Sequence, residues 1–578
     1  NTCGLFSNNA YDHLIFCNNI LSLTSGNYFI DFNIYKQKEE LPKVLVINDV
    51  FAMNIVNLKN VVFLCYYSFD KEYVESIINS FNLIIPHLEK VLSYVMPISL
   101  RKTNVQINHF LQNNISILSQ CGGELKLTRA ERRQIKRTIQ NEIKEFLKIQ
   151  THYFPELIDD IKKIMDGRNQ SYITYEIEVI IYMMILKNVC SIASMQEMND
   201  EFNEDTCIKN LYKILGLEEK EYLPHYVTVN ECLSKLDNAE LEQIRKKMIY
   251  GLIRKKSFDD AKFLGKHWLI IVDATQLFSF KERHCDQCLT KTYHKGTDEE
   301  YTIYYHQVLE AKIVLGDDLV FSIATEFIEN EAEGMTKQDC EINSFKRLSK
   351  ELKKMFPRLP ICLLGDSLYA CGPVFDICKN NKWEFLIRYK DGSIPSLAEE
   401  YDEINKMGES EEEILEIEQI YKRKPKTKEI HKMRWVNQLC YQKHVVTVME
   451  LEIEKGQKKW KEFQWITSIA VTNWTAKEFA DTGRKRWLIE NEGFNIQKNY
   501  RYIITHANSL NYNAMKNHYL LTQLADILMQ LYEDGVKGIK IIKRTIEKIS
   551  EGLLESIKKQ HLTENDFNYE KFQVRKQE

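Results

Sequence analysis

Two short apolar runs, each closed by an aspartate, constrain the fold of this chain most. Residues 268–272 read WLIIV before Asp273, and residues 361–364 read ICLL before Gly365 and Asp366. Runs this short and this apolar read as buried strands. Between them, residues 307–315 and 319–325 flank Gly316-Asp317-Asp318, a hairpin signature. Residues 339–356 keep helical spacing, Pro357 and Pro360 punctuate the return to a strand, and 383–389 is strand-like again. Strand, hairpin, helix, strand, helix, strand is an order that a mixed sheet with helices on its faces accommodates, so the fold class is α/β.

Composition narrows the function classes. At 578 residues the chain has room for roughly three or four domains of about 150 residues. It is 44% hydrophobic and 28% charged, enough to bury a core. With Gly 21 and Pro 10, collagen, flexible-linker and Pro-rich scaffolds are excluded. Lys+Arg 78 against Asp+Glu 82 gives −4, so any nucleic-acid surface is local. Fourteen cysteines fall short of a disulfide scaffold and fit a reducing cytosol. The best membrane candidate, 173–189, carries Glu176 and Glu178, so no membrane span is expected. The chain opens at Asn1 without Met, as a fragment would, and no signal peptide is visible.

Along the chain, residues 1–100 are apolar-rich, with strand-like stretches at 43–48 and 61–66 and no recognisable chemistry. Residues 127–150 form an amphipathic helical pattern opened by a capping box, Thr128 with Glu131. Its grouped Arg129, Arg132, Arg133, Lys136 and Arg137 suit a solvated face or an arm contacting phosphates. Residues 154–255 read as short helices, clearest at 227–236 and 241–253. Composition then swings: 399–418 holds ten acids and one Lys, and 421–434 holds seven Lys/Arg and one Glu. These read as an acidic and a basic loop in a β-rich insertion whose strands are 445–453 and 465–471. Residues 475–498 and 509–532 follow as helices, with no internal repeat.

Asp273 and Asp366 each end an apolar strand, where a rigid, partly desolvated carboxylate suits a hard cation as well as it suits a turn. Glu490 is the third acid. On a helix, Arg486, Glu490 and Phe494 share a face beside Trp487, and Gln497 and Lys498 return near it. Glu492 lies about 200° round from Glu490. If Trp487 and Phe494 point inward, so does Glu490, which then needs a metal or a partner such as Arg486. A separate group, Cys285-x2-Cys288 with His294, has zinc-ligand spacing, and His306 is available as a further ligand; reduced, unligated cysteines are the plainer reading.

VDAT around Asp273, YYHQVLEAKIV at 304–314, ATEFIEN at 324–330, GDSLYA at 365–370 and RWLIENEGFNIQKN at 486–499 together resemble the DDE transposases of bacterial insertion sequences. The type is the one with a β-rich insertion before the last acid, and the resemblance spans roughly 154–531. It implies a ribonuclease H-like mixed sheet with flanking helices, interrupted by that insertion and preceded by a mostly helical N-terminal region. On the matching motifs, the acids holding two Mg²⁺ ions (Mn²⁺ substituting) are Asp273, Asp366 and Glu490. The family signature Tyr-x2-Arg-x3-Glu-x6-Lys is kept at Arg486 and Glu490. Gly483 stands at its Tyr position and Gln497 at its Lys position, with Lys498 one residue later.

The implied partners are double-stranded DNA, as transposon ends and target, and a second copy of the chain on that DNA. Arg486 and Lys498 are the expected DNA contacts, with Arg423 and Lys424 of the basic run. The expected location is cytoplasmic and nucleoid-associated. Domain boundaries then fall at 1–120 (role open), 121–260 (helical, DNA-binding), 261–390 (first part of the core), 391–474 (insertion), 475–535 (second part, with the last acid) and 536–578 (helical tail). Alternatives are a ribonuclease H-like nuclease without strand transfer and a transposase-derived DNA-binding protein without catalysis; retention of all three acids argues against the latter.

Overall fold

A computed structural model of the chain describes residues 27–31, 50–54, 142–256, 258–329, 340–390, 392, 394–419, 427–455, 458–536 and 544–567. The chain divides into two units at residues 132 and 133. In the first, the described backbone is one antiparallel pair, β1 (Asn27–Asp31) and β2 (Val50–Asn54), with Asn27 opposite Asn54. The strands expected at 43–48 and 61–66, and the basic stretch 127–141, lie outside the described residues.

The second unit opens with seven described α-helices: α1 (Glu142–Tyr153), α2 (Leu157–Lys162), α3 (Ile177–Val189), α4 (Met195–Phe202), α5 (Asp205–Leu215), α6 (Tyr226–Lys235) and α7 (Asn238–Arg254). Local chemistry sets their ends. Ser194 and Glu197 form a capping box, Asp237 accepts from the Ala239 amide, and Gly216 closes α5 at φ 64°. Helix α3 is apolar all round because it is buried all round, and its 13 residues fall short of a bilayer. No described helix is long and apolar enough to cross a membrane.

A ten-stranded mixed sheet follows among the described residues. Its elements are β3 (Trp268–Phe280), β4 (Leu289–Tyr293), β5 (Tyr301–Val314), β6 (Val320–Ile328), α8 (Glu341–Met355), β7 (Ile361–Gly365), α9 (Gly372–Asn381), β8 (Glu384–Arg388), α10 (Pro395–Met407), β9 (Glu411–Gln419), β10 (Thr427–Tyr441), β11 (His444–Lys455) and β12 (Lys458–Thr467). The first half runs β6-β5-β3-β7-β8. Strand β5 is antiparallel to β6 and β3, whereas β7 is parallel to β3 and β8. Short β4 pairs with the outer end of β5. On the far edge of β8 an antiparallel meander, β12-β11-β10-β9, extends the same sheet.

The two charge runs expected as loops are mostly not loops. The acidic run forms α10 and β9, and the end of the basic run forms β10, which pairs with β9. Lys428 meets Glu416 at 3.4 Å, Arg434 meets Glu412 at 3.3 Å, and Lys432 meets Glu454 at 2.5 Å. Cross-strand pairing of opposite charge neutralises both runs, and an acidic edge strand resists adding a further strand. Arg423 and Lys424 lie outside the described residues.

The helix expected over 475–498 breaks. Helix α11 (Ala476–Arg484) stops, and the chain resumes with π-helical segments at Ile489–Asn495 and Gln497–Arg501. Helices α12 (Tyr512–Gly535) and α13 (Ile546–Lys559) complete the unit. Helix α12 is buried over nearly its whole length and carries its own polar network, described below.

Candidate active site

Strand alternation brings the first two acids together. Along β3, Trp268, Ile270 and Val272 pack into one core while Leu269 and Ile271 pack into the other, so Asp273 continues the Leu269–Ile271 face. Along β7, Cys362 and Leu364 take that same face, which leads on to Asp366. The parallel register sets Ile271 opposite Leu364, so the two aspartates emerge level with one another two residues later. Asp366 caps the short turn after β7 by accepting from the Leu368 amide at 2.9 Å.

Glu490 arrives from the first π-helical segment, anchored by Ile489 and Phe494 in the core shared with Leu269 and Ile271. Arg486 ties it to Asp273: Nη1 lies 2.7 Å from Glu490 Oε1 and 3.8 Å from Asp273 Oδ2. Glu490 keeps 38% of its side chain exposed, so it sits at a rim rather than on a buried face. Trp487 points outward, with the Arg486 guanidinium over its ring, and only Phe494 of the expected inward pair is buried. Glu492 faces other groups, Asp318, Arg501 and Glu533.

A fourth carboxylate joins the group. Glu341, the first residue of α8, accepts from the Tyr369 hydroxyl at 2.6 Å and lies close enough to Asp273 and Asp366 to raise the pKa of the first and be raised by the second. Burial and then the Glu341 charge push Asp273 up to about 7, with Glu490 and Asp366 adding to the rise and Arg486 opposing it. Nothing in the sequence singled out Glu341, since an acid in the first turn of a helix is an ordinary response to the helix dipole.

Both departures from the family signature have a geometric explanation. A ladder closing from i to i+5 takes up about one extra residue over two turns. Gln497 thus turns fully inward, donating to Asp526 Oδ2 at 2.9 Å and Gln523 Oε1 at 3.1 Å of α12. Lys498, one residue later, faces the site: burial lowers its pKa while the Asp273 charge raises it. At Gly483, an added Cβ would lie 2.4 Å from the Trp465 indole, so a ring from β12 occupies the space beside that backbone. Arg501 fixes the second π segment through Asp526 at 3.6 Å and Glu533 at 2.5 Å.

Of the other expected site residues, Cys285, Cys288 and His306 form one group beyond the C-terminal end of β3. His294 is not in it; it lies in the turn after β4 at φ 50°, its ring 6.1 Å from that of Tyr301.

Asp273, expected at the end of its strand, lies within β3, which runs on to Phe280, whereas Asp366 follows the end of β7. The class these features define is a mixed α/β domain with carboxylates converging beside these two adjacent strands. Residues 334–525 match the family described as the transposase DDE domain, which supports the resemblance of this sequence to DDE transposases. Asp366 and Glu490 lie inside the matched span, and Asp273 is joined to it by the β3–β7 pairing. No curated protein matches the chain. DDE transposases act on DNA and generally use divalent metal ions.

Proposed function

We propose that this chain cuts DNA at transposon ends and joins the freed 3′-hydroxyl to target DNA, with a ribonuclease H-like core formed by β6-β5-β3-β7-β8. The observation that carries this reading is the convergence of Asp273, Asp366 and Glu490 in a chain whose residues 334–525 match the transposase DDE domain family. The donor set fits a metal on chemical grounds. Its donors are all carboxylate oxygens, and Asp273 is pushed up to about 7 in a group where four carboxylates meet Arg486 and Lys498. Such a group matches hard cations, Mg²⁺ with Mn²⁺ as substitute. When bound, two such ions supply Lewis acidity for in-line displacement at phosphorus.

The chain's own groups do the rest. Asp273, rigid within β3, Asp366, just past the end of β7, and Glu490 at the rim would hold the ions, and Glu341 adds negative charge beside them. Arg486, which neutralises Asp273 and Glu490 in this structure, and Lys498 are placed to meet a DNA phosphate. Joining two ends calls for two copies of the chain on DNA. A cytoplasmic, nucleoid-associated location rests on that substrate.

The test is Mg²⁺-dependent reaction of wild-type protein with plasmid carrying the element's flanking ends, scored for both cleavage and joined products. Cleavage and joining, both lost in Glu490→Ala and kept in Glu492→Ala, support the reading. Cleavage without joining favours a nuclease, and binding without cleavage in Mg²⁺ or Mn²⁺ favours a DNA-binding protein.

A further inference from the structure

Beyond the acidic site, the connection from β3 to β4 (281–288) folds back over β5. Cys285 and Cys288 lie in this connection and His306 lies on β5, one residue past the segment paired with β4. The three ligating atoms form a near-equilateral triangle: Cys285 Sγ to Cys288 Sγ 3.4 Å, Cys285 Sγ to His306 Nε2 3.4 Å, and Cys288 Sγ to His306 Nε2 3.5 Å. Around tetrahedral zinc, with Zn–S about 2.3 Å and Zn–N about 2.0 Å, S···S and S···N edges are about 3.8 and about 3.5 Å. The observed triangle is shorter by at most a few tenths of an ångström. The sulfurs are also far beyond the roughly 2.05 Å of a disulfide, so the two cysteines are not bonded to one another.

We infer that Cys285, Cys288 and His306 supply three of the ligands of a tetrahedral zinc ion that staples the β3–β4 connection onto β5, the fourth position being left to water or a further donor. Two further observations carry this. The Cys288 amide donates to the Cys285 carbonyl at 3.3 Å, a tight turn that brings both sulfurs to the same side, toward His306. The His306 imidazole, only 2% exposed, directs Nε2 at the two sulfurs while Nδ1 has no hydrogen-bond partner. A thiol is a poor hydrogen-bond partner for a buried imidazole, whereas a thiolate–imidazole set is a good zinc donor set. The His306 ring also stacks on Tyr512 of α12 at 4.8 Å, so the staple reaches the helix that holds Gln497. The inference concerns no residue of the acidic site and stands or falls apart from the transposase reading.

The experiment is elemental analysis of the full chain, purified under reducing conditions without chelator. About one zinc per chain is expected in wild type and in Asp273→Asn, and a several-fold loss in Cys285→Ser and His306→Ala. Cys288 and His306 are buried and their variants can unfold, so the more exposed Cys285 and a wild-type readout carry the decision. Zinc-edge X-ray absorption should show two sulfur ligands, and cobalt-substituted protein should show thiolate-to-metal charge transfer. Wild type lacking both stoichiometric zinc and the cobalt bands would falsify the inference. Zinc unchanged in Cys285→Ser, fewer than two sulfur ligands, or two thiols lost to a disulfide would overturn it equally.

Discussion

Two clusters of side chains whose chemistry suits metal ions lie along the same strand pair, and they are built oppositely. The acidic cluster at Asp273 has only oxygen donors, sits at a rim with Glu490 over a third exposed, and holds like charges together against their repulsion. The cluster at Cys285, Cys288 and His306 has sulfur and nitrogen donors and two fully or nearly fully buried members. The first is suited to ions that come and go with substrate, the second to one that stays. The difference teaches that burial and donor softness together separate an exchangeable site from a closed one.

The sharpest way to break the comparison is chelation. Brief EDTA treatment should abolish DNA cleavage, with recovery on adding Mg²⁺ or Mn²⁺, while about one zinc per chain is retained. Loss of zinc on the same timescale as activity would remove the distinction.

Neighbouring residues of the π segment should fail differently. Lys498→Ala should weaken DNA cleavage by about 10- to 100-fold with an unchanged melting temperature, the loss of roughly 1.5–3 kcal/mol of charge-assisted contact. Gln497→Ala should instead lower stability by about 1–3 kcal/mol, since Gln523 and Asp526 lose a buried partner. Equal melting temperatures for both variants would contradict the inward–outward split.

Gly483→Ala should cost about 1–3 kcal/mol by forcing Trp465 away, read as a shifted denaturant midpoint. An unchanged midpoint would mean the indole yields freely.

The smallest effect lies outside both clusters. Burial, with the Lys187 charge, lowers the His518 pKa to about 3, from 6.5 in the unfolded chain. The unfolded state therefore binds the extra proton between those values, and stability falls as pH drops through that window. His518→Gln should flatten this dependence by about 1.5 kcal/mol between pH 6.5 and 5, measured by urea denaturation. An unaltered slope would show that this imidazole is protonated when folded.

Legibility in the sequence followed the range of the interaction. Strands 268–272 and 361–364, the hairpin at 316–318 and the helix at 339–356 were readable because apolar periodicity and turn residues are local signals. The charge runs misled because acids and bases in an edge meander alternate much as they do in loops, and only pairing across strands distinguishes the two. Glu341 was silent because its neighbours are 25 and 68 residues away in the chain, at Asp366 and Asp273. The sequence offered both His294 and His306 beside the Cys-x2-Cys pair, and only the tertiary structure groups His306 with the two cysteines.

By itself, the sequence determined the α/β class, the apolar strand residues that lead to each aspartate, the Arg486–Glu490 spacing and the Cys-x2-Cys pair. Each of these is written in a few consecutive residues whose backbone geometry follows from hydrophobic and steric preferences. That β3 runs on past Asp273 was not legible. Tertiary structure alone decided that Gln497 turns inward and Lys498 toward the acids, that Trp465 fills the space beside Gly483, and that Glu341 joins the group. The physical reason is that a π turn is less favourable than an α turn and persists where buried partners hold it. Gln523, Asp526 and Glu533 of α12 are those partners, and no local pattern around Glu490 names them.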